Sequence, residues 1–118
     1  TINTNSIEQL LNAGFTPVFS AICHDGNGQL FNTNADTITS ELAIAMSDKY
    51  DVKLVYHFEK DGVLDADDNI ISSLNMQEYS NLRSNNVIKD GMIPKVDNCF
   101  NALKNNVSNV CIGNTKIV

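Results

Sequence analysis

The 118-residue chain has no tryptophan and only two prolines, and no apolar run in it is long enough to cross a bilayer. Positive charge is scarce. Eight Lys and Arg stand against fourteen Asp and Glu, for a net charge of -6, and no cation adjoins another. This excludes the basic patch that nucleic acids and anionic membrane surfaces require. Cysteine is sparse as well: Cys23, Cys99 and Cys111 are odd in number and far apart. Neither a disulfide framework nor a Cys-x-x-Cys zinc site can be built from them. Each sits among apolar neighbours, where a free thiol behaves as a small hydrophobe, and a reducing, cytoplasmic setting follows. With no leader-like segment, the glycosylation triplet Asn106-Val107-Ser108 is discounted. Internal repeats and low-complexity tracts are missing too.

What remains is ordinary globular material, 42% hydrophobic and 19% charged, of a length that makes one domain. Ser6 to Ala13 reads as a short helix ended by Gly14. Thr16 to Cys23 reads as a strand covered on both faces, with Pro17 near its start. Gly26-Asn27-Gly28 lacks the third glycine of a dinucleotide loop and precedes a strand, Gln29 to Phe31, so it is a hairpin turn. Asp51 to Phe58 is a second buried-type strand. A helix between these strands implies a right-handed β-α-β unit and a parallel sheet. Asn75 to Arg83 and Ile93 to Asn105 are further helices, the first capped by Asn75 and the second with Pro94 near its start. Val107 to Ile112 is a last strand, closed by Gly113-Asn114. The fold class is α/β, three layers with a mostly parallel sheet.

Three chemical features stand out. Asn32-Thr33-Asn34-Ala35-Asp36 alternates small polar groups where an extended segment becomes a helix, with Ile38, Leu42, Ala45 and Met46 as its expected buried face. Asn34 occupies the N-cap and Asp36 the first turn. Capping alone explains the pentad, yet strand-to-helix junctions are also where α/β proteins bind ligands. Asp65, Asp67 and Asn69 have the opening spacing of a calcium loop, but Ile70 and Met76 stand where that loop needs glycine and glutamate. No metal site follows. Lys95 lies in the first turn of its helix, against the local dipole. It is either a solvated surface cation or one that shares an anion with the helix end. His24 and His57 have no acid or cysteine at ligand spacing; His57 reads as packed, and neither receives a role.

Asn32-Thr33-Asn34-Ala35-Asp36, Gly62-Val63-Leu64-Asp65 and Gly91-Met92-Ile93-Pro94-Lys95, in that order and spacing, resemble the C-terminal half of the acetylglutamate kinases, a branch of the amino acid kinase family. The likeness runs from about Gly14 to Asn114. It implies a nucleotide-binding C-terminal lobe with the N-terminal lobe lying outside these residues. The implied activity is transfer of a phosphoryl group from ATP, carried with Mg2+, to the side-chain carboxylate of an N-acyl-L-glutamate, a step of arginine biosynthesis. By the same resemblance Lys95 is the transition-state lysine and Asp36 holds the catalytic lysines. Asn32 binds the acyl-glutamate, with Asn34 beside it. Glu59, Lys60, Asp61, Gly62, Val63 and Leu64 form one ATP-binding loop, and Val87, Ile88 and Lys89 another. The full-length enzyme is expected to be a homo-oligomer. Glu59 departs from the family, which usually has aspartate there. The alternative is a non-catalytic nucleotide-binding or interaction module derived from the same lobe.

Overall fold

Three asparagines start helices in the same way. The side chains of Asn3, Asn34 and Asn75 accept the backbone N–H of Ser6, Thr37 and Glu78 at 3.1, 3.1 and 2.9 Å, satisfying donors that a helix start leaves without partners. In the computed structural model, which describes residues 1–118, they open α1 (Thr4–Asn12), α2 (Ala35–Ser47) and α3 (Met76–Ser84). Glu78 returns a bond to the Asn75 N–H at 3.0 Å, completing a capping box. The fourth helix, α4 (Met92–Lys104), begins at Gly91 with no side-chain cap.

Six short strands accompany these helices. β1 (Ile22–His24) and β2 (Leu30–Asn32) form an antiparallel hairpin that pairs Cys23 with Phe31. β3 (Lys53–Tyr56), β4 (Ser73–Leu74), β5 (Asn109–Ile112) and β6 (Thr115–Ile117) form a mixed, mostly parallel sheet in the order β3-β5-β6-β4. β3 runs parallel to β5 and β4 to β6, while β5 and β6 are antiparallel. The β5–β6 turn requires its glycine. Gly113 has φ +53°, and a Cβ there would stand 2.4 Å from the Asp61 carbonyl oxygen.

The strands alternate cleanly between two faces. Leu54, Tyr56, Val110, Ile112, Thr115 and Ile117 are buried, whereas Lys53 and Lys116 are exposed. α2 and α4 pack on each other and against β3 and β5, joining Ala43, Val96, Phe100 and Ala102 to one core. Tyr79 of α3 stacks on Phe100 at 5.6 Å between ring centroids. Each fully buried Leu, Ile or Val here contributes about 1.5–3 kcal/mol.

Four expectations are corrected. Thr16 to Cys23 is not a sheet strand; only its end enters β1, and Phe15, Val18, Phe19 and Ile22 are exposed. The parallel partner of β3 is therefore β5, reached through α3 and α4, and no β-α-β unit joins β1 to β3. The radius of gyration reflects this, at 15.8 Å against about 13.5 Å for a compact domain of this length. The buried face of α2 carries Ser40, Ala43 and Met46, while Ile38, Leu42 and Ala45 are half-buried. Small side chains let α2 approach α4, and the Ser40 hydroxyl finds the Asn98 carbonyl at 3.4 Å. Finally, Cys23 and His57 are exposed rather than packed.

Candidate active site

α2 and α4 start side by side, and their first turns carry the opposed charges of the site. Asp36 is the second residue of α2 and Lys95 the fourth of α4. Lys95 Nζ donates to Asp36 Oδ2 at 2.5 Å. Both side chains are about three-quarters buried, at 23% and 25% relative exposure, so the pair is less screened than a surface ion pair. Asp36 is suited to the positive end of α2. Lys95 opposes the dipole of α4 and is balanced by the neighbouring helix.

The backbone at the start of α4 offers an anion little. The Met92 N–H is bonded to the Lys89 carbonyl and the Ile93 N–H to the Asp90 carbonyl, both at 3.2 Å. Pro94, the third helical residue, has no N–H. Neither of the two readings left open for Lys95, a solvated cation or one that shares an anion with the helix end, describes it here: its amine is partly buried and paired with Asp36. Asp90, at φ +49°, makes the tight entry to this helix.

Three buried groups surround the pair. Tyr56 of β3 donates its hydroxyl to the Asp36 backbone carbonyl at 2.7 Å, and Lys95 Nζ lies 5.8 Å from its ring centroid. Cys99, one turn after Lys95, is fully buried, and burial followed by the Asp36 charge pushes its thiol up to about 12. Burial likewise raises the Tyr56 phenol far above its ordinary value. Both groups stay neutral beside the pair. Ser40, one turn after Asp36, completes the surround.

The two expected ATP loops meet. A cavity of about 150 Å³ is lined by Phe58, Lys60, Gly62, Val63, Leu64, Val87, Ile88, Lys89 and Met92. Glu59 and Asp61 are exposed and do not line it. Gly62 is required by space: a Cβ would stand 2.8 Å from both Ile70 Cγ2 and Thr115 Oγ1. Thr115 Oγ1 accepts the Val63 N–H at 2.8 Å, tying this loop to β6. The first turn of α4 connects the two features, since Met92 lines the cavity and Lys95 follows three residues later.

Asn32 ends β2 and is exposed, and Asn34 spends its carbonyl oxygen on capping α2. Neither lines the larger, open cavity of about 560 Å³ between α1, the β1 strand and α2, although Thr33 and Thr37 do. The Asp65 carboxylate accepts the Asn69 and Asp67 N–H groups, both at 2.9 Å, which holds its pKa below the usual carboxylate range. His24 Nδ1 accepts the Gly26 N–H within the hairpin turn at 3.0 Å. Sequence reading missed Tyr56, Cys99 and Thr115. The period-two pattern marks Tyr56 as facing the same way as Leu54, but nothing local tells what it meets.

A profile of the amino acid kinase family matches residues 1–114. The acetylglutamate kinase of Cytophaga hutchinsonii is 47% identical over 114 residues, covering 94% of this chain and 43% of that protein. That of Campylobacter hominis is 39% identical, covering 98% of this chain and 40% of its own length. The chain therefore spans less than half of the curated relatives it matches. Among solved structures, smu.665 of Streptococcus mutans superposes with a TM-score of 0.87 at 26% identity, over 99% of this chain and 48% of that one. N-acetylglutamate synthase of Neisseria gonorrhoeae, crystallised with coenzyme A and L-arginine, gives a TM-score of 0.86 over 98% of this chain and 30% of that one. At 21% identity, this second likeness concerns the fold alone.

Proposed function

Because this chain belongs to the amino acid kinase family, we propose that it is the nucleotide-binding, C-terminal lobe of an ATP-dependent kinase acting on the side-chain carboxylate of an N-acyl-L-glutamate. The Lys95–Asp36 pair beside the small cavity is the observation that carries this reading. Phosphoryl transfer asks for alignment and charge stabilisation more than for an acid or base. A carboxylate oxygen of the acceptor forms a bond to the γ-phosphorus as the bond to ADP breaks, leaving an acyl phosphate. The Lys95 ammonium is a point charge for the transferring oxygens. Asp36 holds it in line and is itself held by α2.

The cavity suits part of a nucleotide. Its apolar lining fits a base, while Lys60 and Lys89 are cations at its edge. Its volume is below the roughly 300 Å³ of a typical ligand pocket, so the phosphates would run outside it toward Lys95. No three His, Cys, Asp or Glu side chains converge as a metal cage, so magnesium would be held mainly by the nucleotide's phosphates. Asn32 and Asn34, with amides that bind without repelling carboxylates, would meet the acceptor. This reading assigns the glycine-rich phosphate loops, a second lysine and most of the acceptor pocket to protein beyond these 118 residues. It also implies a cytoplasmic enzyme of arginine biosynthesis that assembles as a homo-oligomer.

Hydroxamate trapping of acyl phosphate tests it. The full reading frame containing this chain should turn over N-acetylglutamate with ATP, and the 118-residue chain alone should bind ATP weakly without turnover. Trapped product from the short chain would overturn the division of labour. A second reading, a binding module without chemistry, is favoured by the exposed Phe15, Val18, Phe19, Leu30 and Phe31, which suit contact with another chain. Tight, stoichiometric ATP binding by the short chain would support that module instead.

A further inference from the structure

We propose that Tyr56 is the positioning residue of the Lys95–Asp36 pair, its hydroxyl setting the first turn of α2 and its ring setting the lysine amine. The proposal rests on the kinase reading above for its consequence in catalysis, but its geometry stands independently. Tyr56 is 5% exposed and sits at the end of β3. Its hydroxyl donates to the carbonyl of Asp36 itself at 2.7 Å, linking β3 to α2 across twenty residues of sequence. The same carbonyl belongs to the helix's first turn, so the bond sets the depth and rotation at which α2 delivers the Asp36 carboxylate. The Lys95 ammonium, 5.8 Å from the ring centroid, lies within the range of a cation–π contact.

The chemical logic is that Lys95 must be held without being neutralised twice. A second carboxylate at this position would compete with a phosphoryl oxygen for the amine. A neutral ring face attracts the cation weakly and leaves its N–H donors free to turn toward the substrate. Cys99, buried one turn along α4, adds a second neutral wall. A core role alone would need only an apolar side chain of similar volume, and it would not explain a phenol whose single donor is aimed at the Asp36 carbonyl.

Two variants separate these roles: Tyr56→Phe keeps the ring and loses the hydroxyl, and Tyr56→Leu loses both. Reductive methylation of the 118-residue chain, read lysine by lysine by mass spectrometry, reports on the pair without turnover. Lys95 should label about threefold faster in Tyr56→Leu, the effect of losing one cation–π contact, with a smaller rise in Tyr56→Phe. Exposed Lys53, Lys104 and Lys116 should be unchanged. In the full reading frame, Tyr56→Phe should lower kcat about tenfold, the share of a lost hydrogen bond, and leave KM for ATP and acceptor within about twofold. Repeated on a Lys95→Ala background, the same change should have no further effect on kcat.

Unchanged Lys95 labelling in both variants overturns the proposal, as does a rise shared by every lysine, which marks general loosening. Normal kcat in Tyr56→Phe, or an additive loss on the Lys95→Ala background, overturns the catalytic consequence. If the parent protein forms no acyl phosphate, the kinase reading fails, and the labelling still decides whether Tyr56 positions the pair.

Discussion

Lys95 and Asp36, fifty-nine residues apart in sequence, are joined by an ion pair that spans the first turns of two adjacent helices. Only one of the two charges is explained by its own helix: Asp36 suits the positive end of α2, but Lys95 faces the wrong end of α4. Their pairing turns a local electrostatic fault into a fixed, partly buried ammonium. A charge so placed is less screened by water than a surface cation.

Replacement of Lys95 by Ala in the full reading frame should lower kcat by about 10²–10³-fold, the usual consequence of losing one transition-state stabiliser. Its melting midpoint should fall little, because a partly exposed ion pair is worth about 1 kcal/mol or less. Steady-state hydroxamate assays and a urea melt on the same preparation check both. Normal turnover in this variant would remove the lysine from the mechanism.

Thr115→Val keeps shape and removes the acceptor for the buried Val63 N–H. It should cost about 1–3 kcal/mol, the penalty of an orphaned buried donor, and weaken ATP binding because Val63 and Leu64 line the cavity. Chemical denaturation and nucleotide titration measure the two effects. A neutral result on both would mean the loop needs no tie to β6.

Gly113→Ala should destabilise by at least about 1–3 kcal/mol from positive φ alone, with an added cost because its Cβ would stand 2.4 Å from the Asp61 carbonyl oxygen. Gly91→Ala is the control. Nothing lies within 4 Å of a Cβ there, and φ is ordinary at -63°. Comparison of the two midpoints in urea isolates the backbone effect.

Alkaline pH should destabilise the fold. The Cys99 thiol is raised from 9.0 to about 12 by burial, then by the Asp36 charge. The Tyr79 phenol is raised from 10.0 to about 12, by burial and then by its bond to Asp97. Both are acids kept protonated in the native state, so between about pH 9 and 12 the unfolded chain binds fewer protons and stability falls with rising pH. Urea midpoints from pH 8 to 11 should therefore decline. Thiol alkylation at pH 8.5 should modify exposed Cys23 quickly and Cys99 only on unfolding.

Lys89→Ala should raise the dissociation constant for ATP about tenfold and leave AMP binding less affected, as expected for a cation that meets phosphates rather than the base. Isothermal titration with both nucleotides distinguishes this from a packing effect, which would weaken both equally.

Helix starts were legible because their determinants are local. Asn34 and Asn75 accept N–H groups three residues away, and no distant contact is needed to place them. The hairpin turn and the Gly113-Asn114 turn were legible for the same reason: a left-handed glycine is required by backbone sterics. The 59–64 and 87–89 segments were singled out by resemblance as separate loops, and only the fold brings Lys60, Gly62, Val63 and Leu64 of the first to one cavity with the second.

The partners of β3 and the true inner face of α2 were settled only in three dimensions. Thr16 to Cys23 has the composition of a covered strand, yet a strand exists only where another backbone takes its hydrogen bonds, and here just its last residues find one. Ser40 and Ala43 lie inward because two helices pack closest through small side chains, a property of the pair that one helix's periodicity does not contain. The amino-acid order by itself determined where α2, α3 and the glycine turns begin and that Lys95 is out of place on its own helix. Folding alone brought Asp36 and Tyr56 to it, since groups so far apart in sequence meet only when packing brings their elements together.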